Sequence, residues 1–313
     1  MKILVAYDGS RDAEAALDDL TRAGLPESGE FLVVSVAEVW LPALGAEAAD
    51  PETETNPYIE RLVKDRRERS EKIVEGSEHL AKAAAERISN IMLGWQVESR
   101  ATYGSPAWAI LDIAGEYGPD LTIVGSQGLS ALSRVFLGSV SLKVAAESSC
   151  SVRVARSRDK QVESPIRIIV GFDGSEGSDI AATSAAARQW PSGTEIRLIA
   201  ASDPISPSVI GQFAQPIAAF AEETMAEEDK MIQKLAEPAL ELFSKAGYSA
   251  RLDIVPGNPK SVLVNQAEEW NADSIFIGAT ALQSKLERFL IGSTASAVAS
   301  RASCSVEIVR PKN

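Results

Sequence analysis

Lys2-Ile3-Leu4-Val5-Ala6-Tyr7-Asp8-Gly9-Ser10 opens the chain, and Arg167-Ile168-Ile169-Val170-Gly171-Phe172-Asp173-Gly174-Ser175 repeats it 165 positions later. Each stretch is a short apolar run that stops at an Asp-Gly-Ser turn. Working outward, Asp120-Leu121-Thr122-Ile123-Val124-Gly125 returns as Asp273-Ser274-Ile275-Phe276-Ile277-Gly278. Leu137-Gly138-Ser139 returns as Ile291-Gly292-Ser293, and Cys150-Ser151-Val152-Arg153-Val154 as Cys304-Ser305-Val306-Glu307-Ile308. A repeat this long is a duplicated domain, since solenoid units are several times shorter. The polar stretch Arg156–Pro165, closed by its proline, is the joint. The expected domains are therefore residues 1–157 and 165–313.

Within each half, strand and helix signals alternate. Ile3–Tyr7, Phe31–Val36, Gln96–Ala101, Leu121–Val124 and Val152–Ala155 are runs suited to parallel strands covered on both faces. Ala13, Ala16, Leu17 and Leu20 share one helical face. Around Tyr58–Met92 a longer helical tract carries Ile59, Leu62, Val63, Ile73, Leu80, Ala84 and Ile88 among its charges. Ser105-Pro106 and Asn258-Pro259 read as N-cap and first-turn proline of a further helix in each half. Five strands with helical crossovers predict an α/β fold of two tandem, doubly wound, five-stranded parallel sheets. Ligands of such sheets bind beyond the carboxyl ends of strands, where strand order reverses. That places the candidate site after strands one and four.

After strand four the first half reads Gly125-Ser126-Gln127-Gly128, with Gly138-Ser139-Val140-Ser141 opening the next helix. Gly125 and Gly128 can take φ > 0 and let the backbone approach a ligand closely. Consecutive amides in such a turn form an anion nest, and the free N–H groups of a helix N-terminus also favour phosphate. Asp8, across the switch point, would be repelled by phosphates. Its partners would be a ribose hydroxyl, a base amine or a metal ion. The alternative is that these are plain turn and cap glycines.

The spacing Gly125-x2-Gly128-x9-Gly138-Ser139 resembles the nucleotide motif of the universal stress protein family at every spaced position. The opening Val5–Ser10, the Gly104-Ser105-Pro106 turn and the final strand Cys150–Arg156 extend the resemblance. Both halves keep the same order of features, so the chain is similar to a tandem member of that family. The resemblance implies an adenine nucleotide alpha hydrolase-like fold with strand order 3-2-1-4-5. It implies that Ala6, Asp8 and the backbone around Val36 hold adenosine. Ribose and phosphates would fall to Gly125, Gly128, Gly138, Ser139, Val140 and Ser141, with ATP as ligand and Mg²⁺ offsetting its charge. No metal site made of protein side chains alone is expected. In the second half, Ala281 stands where the motif has its second glycine, and one residue is inserted near Leu282–Lys285. A weakened second site would use Asp173, Gly278, Gly292, Ser293 and Thr294. Pairing of the halves through their last strands is also expected, as an intramolecular pseudo-dimer, with a homodimer through other surfaces left open.

Composition narrows the alternatives. The chain has 313 residues, 45% of them apolar and 24% charged, which excludes disordered and collagen-like classes. A net charge of −13 argues against nucleic acid and anionic membrane as partners. No apolar stretch reaches the length of a membrane span or a signal peptide, so the expected compartment is the cytoplasm. With one histidine, His79, and two cysteines, Cys150 and Cys304, imidazole and thiol chemistry have almost nothing to work with. His79 reads as a solvated helix residue, the cysteines as buried thiols, and the acidic run Glu222–Asp229 as a solvated face. Trp95, Trp108, Trp190 and Trp270 read as core-edge packing. Arg134 and Arg288 recur at matching places and are either phosphate contacts or solvated loop residues. No Gly-x4-Gly-Lys-Ser/Thr loop is present, so binding and regulation are favoured over fast catalysis, and the family resemblance implies that the role lies in the stress response. The competing class is a ligand-free scaffold acting through an unknown protein partner.

Overall fold

The computed structural model describes residues 1–39, 57–128, 137–157, 165–202, 215–279 and 291–311, without the side chains of 57–60, 62–63 and 215–225. In the first half β1 (Lys2–Ala6), β2 (Gly29–Ala37), β3 (Trp95–Tyr103), β4 (Leu121–Gly125) and β5 (Ser151–Ala155) alternate with helices. These are α1 (Arg11–Asp19), α2 (Pro57–Ile91), α3 (Pro106–Tyr117) and α4 (Ser139–Glu147). The second half repeats the plan with β6 (Arg167–Gly171), α5 (Glu176–Ala186), β7 (Glu195–Ser202), α6 (Gln215–Lys245) and β8 (Ser249–Pro256). It continues with α7 (Pro259–Glu269), β9 (Ser274–Gly278), α8 (Ser293–Arg301) and β10 (Ser305–Val309).

Each half has the expected order 3-2-1-4-5, with all neighbours parallel. The apolar runs explain why: Ile3, Leu4 and Val5 of β1 are wholly buried, because helices cover both faces of the sheet. Helix starts follow their caps. Ser10 Oγ accepts the Ala13 amide at 3.1 Å, and Ser175 Oγ accepts that of Ser178 at 3.3 Å. Gly118 ends α3 in the left-handed region, at φ 62°, where a side chain would be strained.

The two sheets join. β10 runs antiparallel to β5, with Val306 opposite Val154, Glu307 opposite Arg153 and Ile308 opposite Val152. One ten-stranded sheet results, with β3 and β8 at its edges. On one face a single apolar core runs across both halves, from Val144 and Val152 to Ile275 and Val298. On the other face each half keeps its own core, one under α1 and α2, the other under α5 and α6.

Two readings of individual residues change. Cys304 is buried, but Cys150 is only half-buried, with its thiol 3.3 Å from both Thr122 Oγ1 and Ser148 Oγ. Trp95 and Trp190 are buried and Trp270 is intermediate, whereas Trp108 is 54% exposed on α3, with the Lys143 ammonium 3.8 Å from its ring centroid. His79 is exposed, as read. Arg134, Arg288 and the joint at 158–164 lie outside the described residues.

Candidate functional site

The turns after β1 and β4 are stitched to one another. Asp8 Oδ1 accepts the Ser10 amide at 2.9 Å, which tightens the turn at Gly9. Ser10 Oγ, besides capping α1, donates to the Gln127 carbonyl at 3.3 Å. Ser126 Oγ donates to Asp12. The start of α4 is tied back in the same way: the Gly138 amide donates to the Ser126 carbonyl at 2.8 Å, and Ser141 Oγ to that of Gly125 at 2.7 Å. Gly138 is therefore not a free donor. The amides of Ser139, Val140 and Ser141 are the first three of α4 and have no acceptor within the helix.

Of the two things glycine can supply here, the structure uses close approach and not a positive φ. None of Gly125, Gly128 and Gly138 has a positive φ, and Gly138 sits at −63°. What they supply is room. A Cβ on Gly125 would lie 2.8 Å from the carbonyl carbon and oxygen of Asp12 in α1. One on Gly128 would lie 2.9 Å from Asp8 Oδ2. The first contact fixes helix packing; the second keeps the space beside a carboxylate.

These segments enclose a cavity of about 920 Å³, within the range of small-molecule sites. Ala6, Asp8, Val36, Gly125, Gly128, Gly138, Ser139, Val140 and Ser141 all line it. Sequence reasoning missed its far wall. Ile73, Gly76, Ser77 and Leu80 of α2 also face the cavity, and Ile73 and Leu80 are 49% and 36% exposed. Their helical spacing suggested core contacts. Gly76 was the available signal: a glycine inside a helix is unfavourable, and a Cβ there would meet nothing within 4 Å. Tyr7, Asp8 and Glu38 are the titratable groups on the wall. Burial, with a hydrogen bond to Glu14, pushes the Tyr7 hydroxyl up to about 12. Arg87 holds Glu14 and also Asp18, at 2.6 Å from the latter. Among the described residues no group of three or more His, Cys, Asp or Glu could hold a metal ion.

The second half keeps the frame. Asp173 Oδ1 accepts the Ser175 amide at 3.0 Å, and the Gly292 amide donates to the Ala279 carbonyl at 2.5 Å. A Cβ on Gly278 would lie 2.5 Å from the carbonyl of Gly177. Asp173 and Gly278 thus stand at the carboxyl ends of adjacent strands, with Gly292, Ser293 and Thr294 at the start of α8. Buried Ala295 takes the place of Ser141 and cannot make its bond. Ala281 and the inserted residue lie outside the described residues. A cavity of about 650 Å³ between α5 and α6 is lined by none of these five.

The family model for universal stress proteins matches residues 1–156 and again residues 166–310. The chain belongs to the universal stress protein family. Two curated members are each 34% identical to about half of it. One, from Thermus aquaticus, aligns over 154 residues, 49% of this chain and 97% of its own length. The other, YxiE from Bacillus subtilis, aligns over 158 residues, 50% of this chain and 98% of its own. A universal stress protein of known structure from Archaeoglobus fulgidus covers 100% of this chain and 97% of its own, with a TM-score of 0.59 at 21% identity. That likeness is one of fold. Among the described residues no helix is long and apolar enough to cross a membrane.

Proposed function

We propose that the first half binds an adenine nucleotide, ATP with Mg²⁺, and that the chain is a stress-response protein acting through its bound state. The observation that carries this reading is the meeting of nine candidate site residues, from four separate segments, on one cavity. The residues suit such a ligand. The free amides at the start of α4 and the helix dipole favour phosphate, and Asp8 suits a ribose hydroxyl or a base amine. The apolar surface of Val36, Ile73 and Leu80 suits a base. Bound Mg²⁺ would neutralise phosphate charge that no lysine on the described wall neutralises.

Slow turnover or none follows from the same wall. Among the described residues of the wall, Tyr7 holds its proton tightly, and neither it nor the two carboxylates is a cation that would stabilise charge on a transferring phosphoryl group. The second half would bind more weakly, through Asp173, Gly278, Gly292, Ser293 and Thr294. Mass spectrometry of the purified chain after denaturation tests the proposal. ATP or ADP should be released in near-stoichiometric amount, or be taken up on incubation. A chain that releases none and takes up none is the ligand-free scaffold instead.

A further inference from the structure

Residue 307 follows residue 153 by the same 154 positions that separate Cys304 from Cys150, so the two are counterparts in the repeat. They also face each other directly across β5 and β10. A residue opposite its own counterpart lies on the local twofold axis. There, a pair of identical domains must set like against like. This chain sets Arg153 against Glu307, both wholly buried, with Nη1 3.4 Å from Oε2.

The surroundings are equally one-sided. Arg153 binds Asp19 of its own half at 2.5 and 3.1 Å, and Ser274 Oγ of the other half at 2.7 Å. Glu307 accepts from Arg188 of its own half. The Gln189 amide donates to the Gly24 carbonyl at 2.9 Å, and these two residues are also counterparts, 165 positions apart. Trp190 lies so close over Gly24 that a Cβ there would be 2.6 Å from its ring.

We infer that the edge strand of each half accepts only the other half and refuses a copy of itself. Two first halves would oppose two buried guanidiniums, each stripped of Glu307 and of Ser274, whose counterpart is Leu121. Two second halves would oppose two buried carboxylates and drive Trp190 into Gln189, where Gly24 now leaves space. In a like pair each charge keeps its own-half partner, Asp19 or Arg188, but loses its cross-half partner and meets a buried like charge, so the penalty falls on like pairs alone. The partner this surface fits is the unlike half, from the same chain or from a second copy.

The full-length chain with a protease site placed within residues 158–164 tests this. After cleavage, the wild-type halves should stay paired on dilution. Ser184→Asp, Arg188→Ala and Glu307→Arg together give the second half the residues of the first. Asp19→Ser, Ala23→Arg and Arg153→Glu together do the reverse. Either set should raise the dissociation constant at least about 100-fold, and both sets combined should return it to within about tenfold of wild type. Melting temperatures of the uncut chains give the same comparison where the cleaved halves of a set do not stay folded. Either set pairing as tightly as wild type overturns the inference, and so does a combined chain that recovers neither pairing nor melting temperature.

Discussion

Asp8 stands against Gly128, so that a Cβ on the glycine would lie 2.9 Å from Asp8 Oδ2, while the other carboxylate oxygen is held by the Ser10 amide at 2.9 Å. The carboxylate cannot yield without breaking its turn. Gly125 meets a different obstacle, the backbone of α1.

The two glycines should therefore fail differently. Gly128→Val should weaken ATP binding at least about 100-fold and leave the melting temperature within a few degrees. Gly125→Val should lower stability by about 1–3 kcal/mol or more through overpacking against Asp12. Calorimetric titration and thermal melts of both variants separate these effects. Equal melting temperatures for the two would contradict the packing argument.

How much of this was legible in the sequence varies with the element. The sheet in each half was legible because β1, β4 and β5 are short, continuous apolar runs that recur in the same order. Their spatial order came from the family resemblance. The near wall of the cavity was legible through its glycine spacing, but only the structure shows that Gly125 and Gly128 supply room rather than a positive φ. Ile73 and Leu80 were hidden because an apolar residue at helical spacing looks the same over a core and over a cavity. Arg153 and Glu307 sit inside β-branched strands like any exposed charge, and only the pairing of β5 with β10 puts them together out of water.

The repeat also places two arginines in reciprocal roles. Arg310 donates to the Ala145 carbonyl at 2.7 Å, at the end of α4, and to that of Cys150 at 3.4 Å. Arg156 donates to the carbonyls of Ala299 in α8 and of Cys304 beyond it, the corresponding positions of the second half. Each half thus caps the last helix of the other. Arg310→Ala should cost about 2–3 kcal/mol in chemical denaturation, by leaving buried carbonyls unpaired. Arg310→Lys should recover little, because a single ammonium cannot span those acceptors. Full recovery by lysine would contradict this role.

Burial pushes the hydroxyls of Tyr7 and Tyr117 up to about 12. Glu14 adds to the effect at Tyr7, and the charges of Glu30 and Glu98 add to it at Tyr117. The folded chain then binds more protons than the unfolded chain between about pH 10 and 12. This part of the stability is complete below about pH 10 and is lost as the pH rises toward 12. Absorbance at about 295 nm should show Tyr7 and Tyr117 ionising late while circular dichroism stays native. Tyr7→Phe, which installs the residue found at Phe172, should remove one of them. A native chain in which no tyrosine titrates above about pH 11 would contradict the assignment.

Calorimetric titration of the intact chain with ATP and Mg²⁺ is the most direct test of the nucleotide site. One site per chain should dominate, in preference to GTP, and any second site should be at least about tenfold weaker, a difference of only about 1.4 kcal/mol. The loss of the Ser141 bond at Ala295 and the alanine at Ala281 both act in that direction. Asp8→Ala should abolish the strong site. No heat of binding from the wild-type chain, or two sites of equal affinity, would contradict the account.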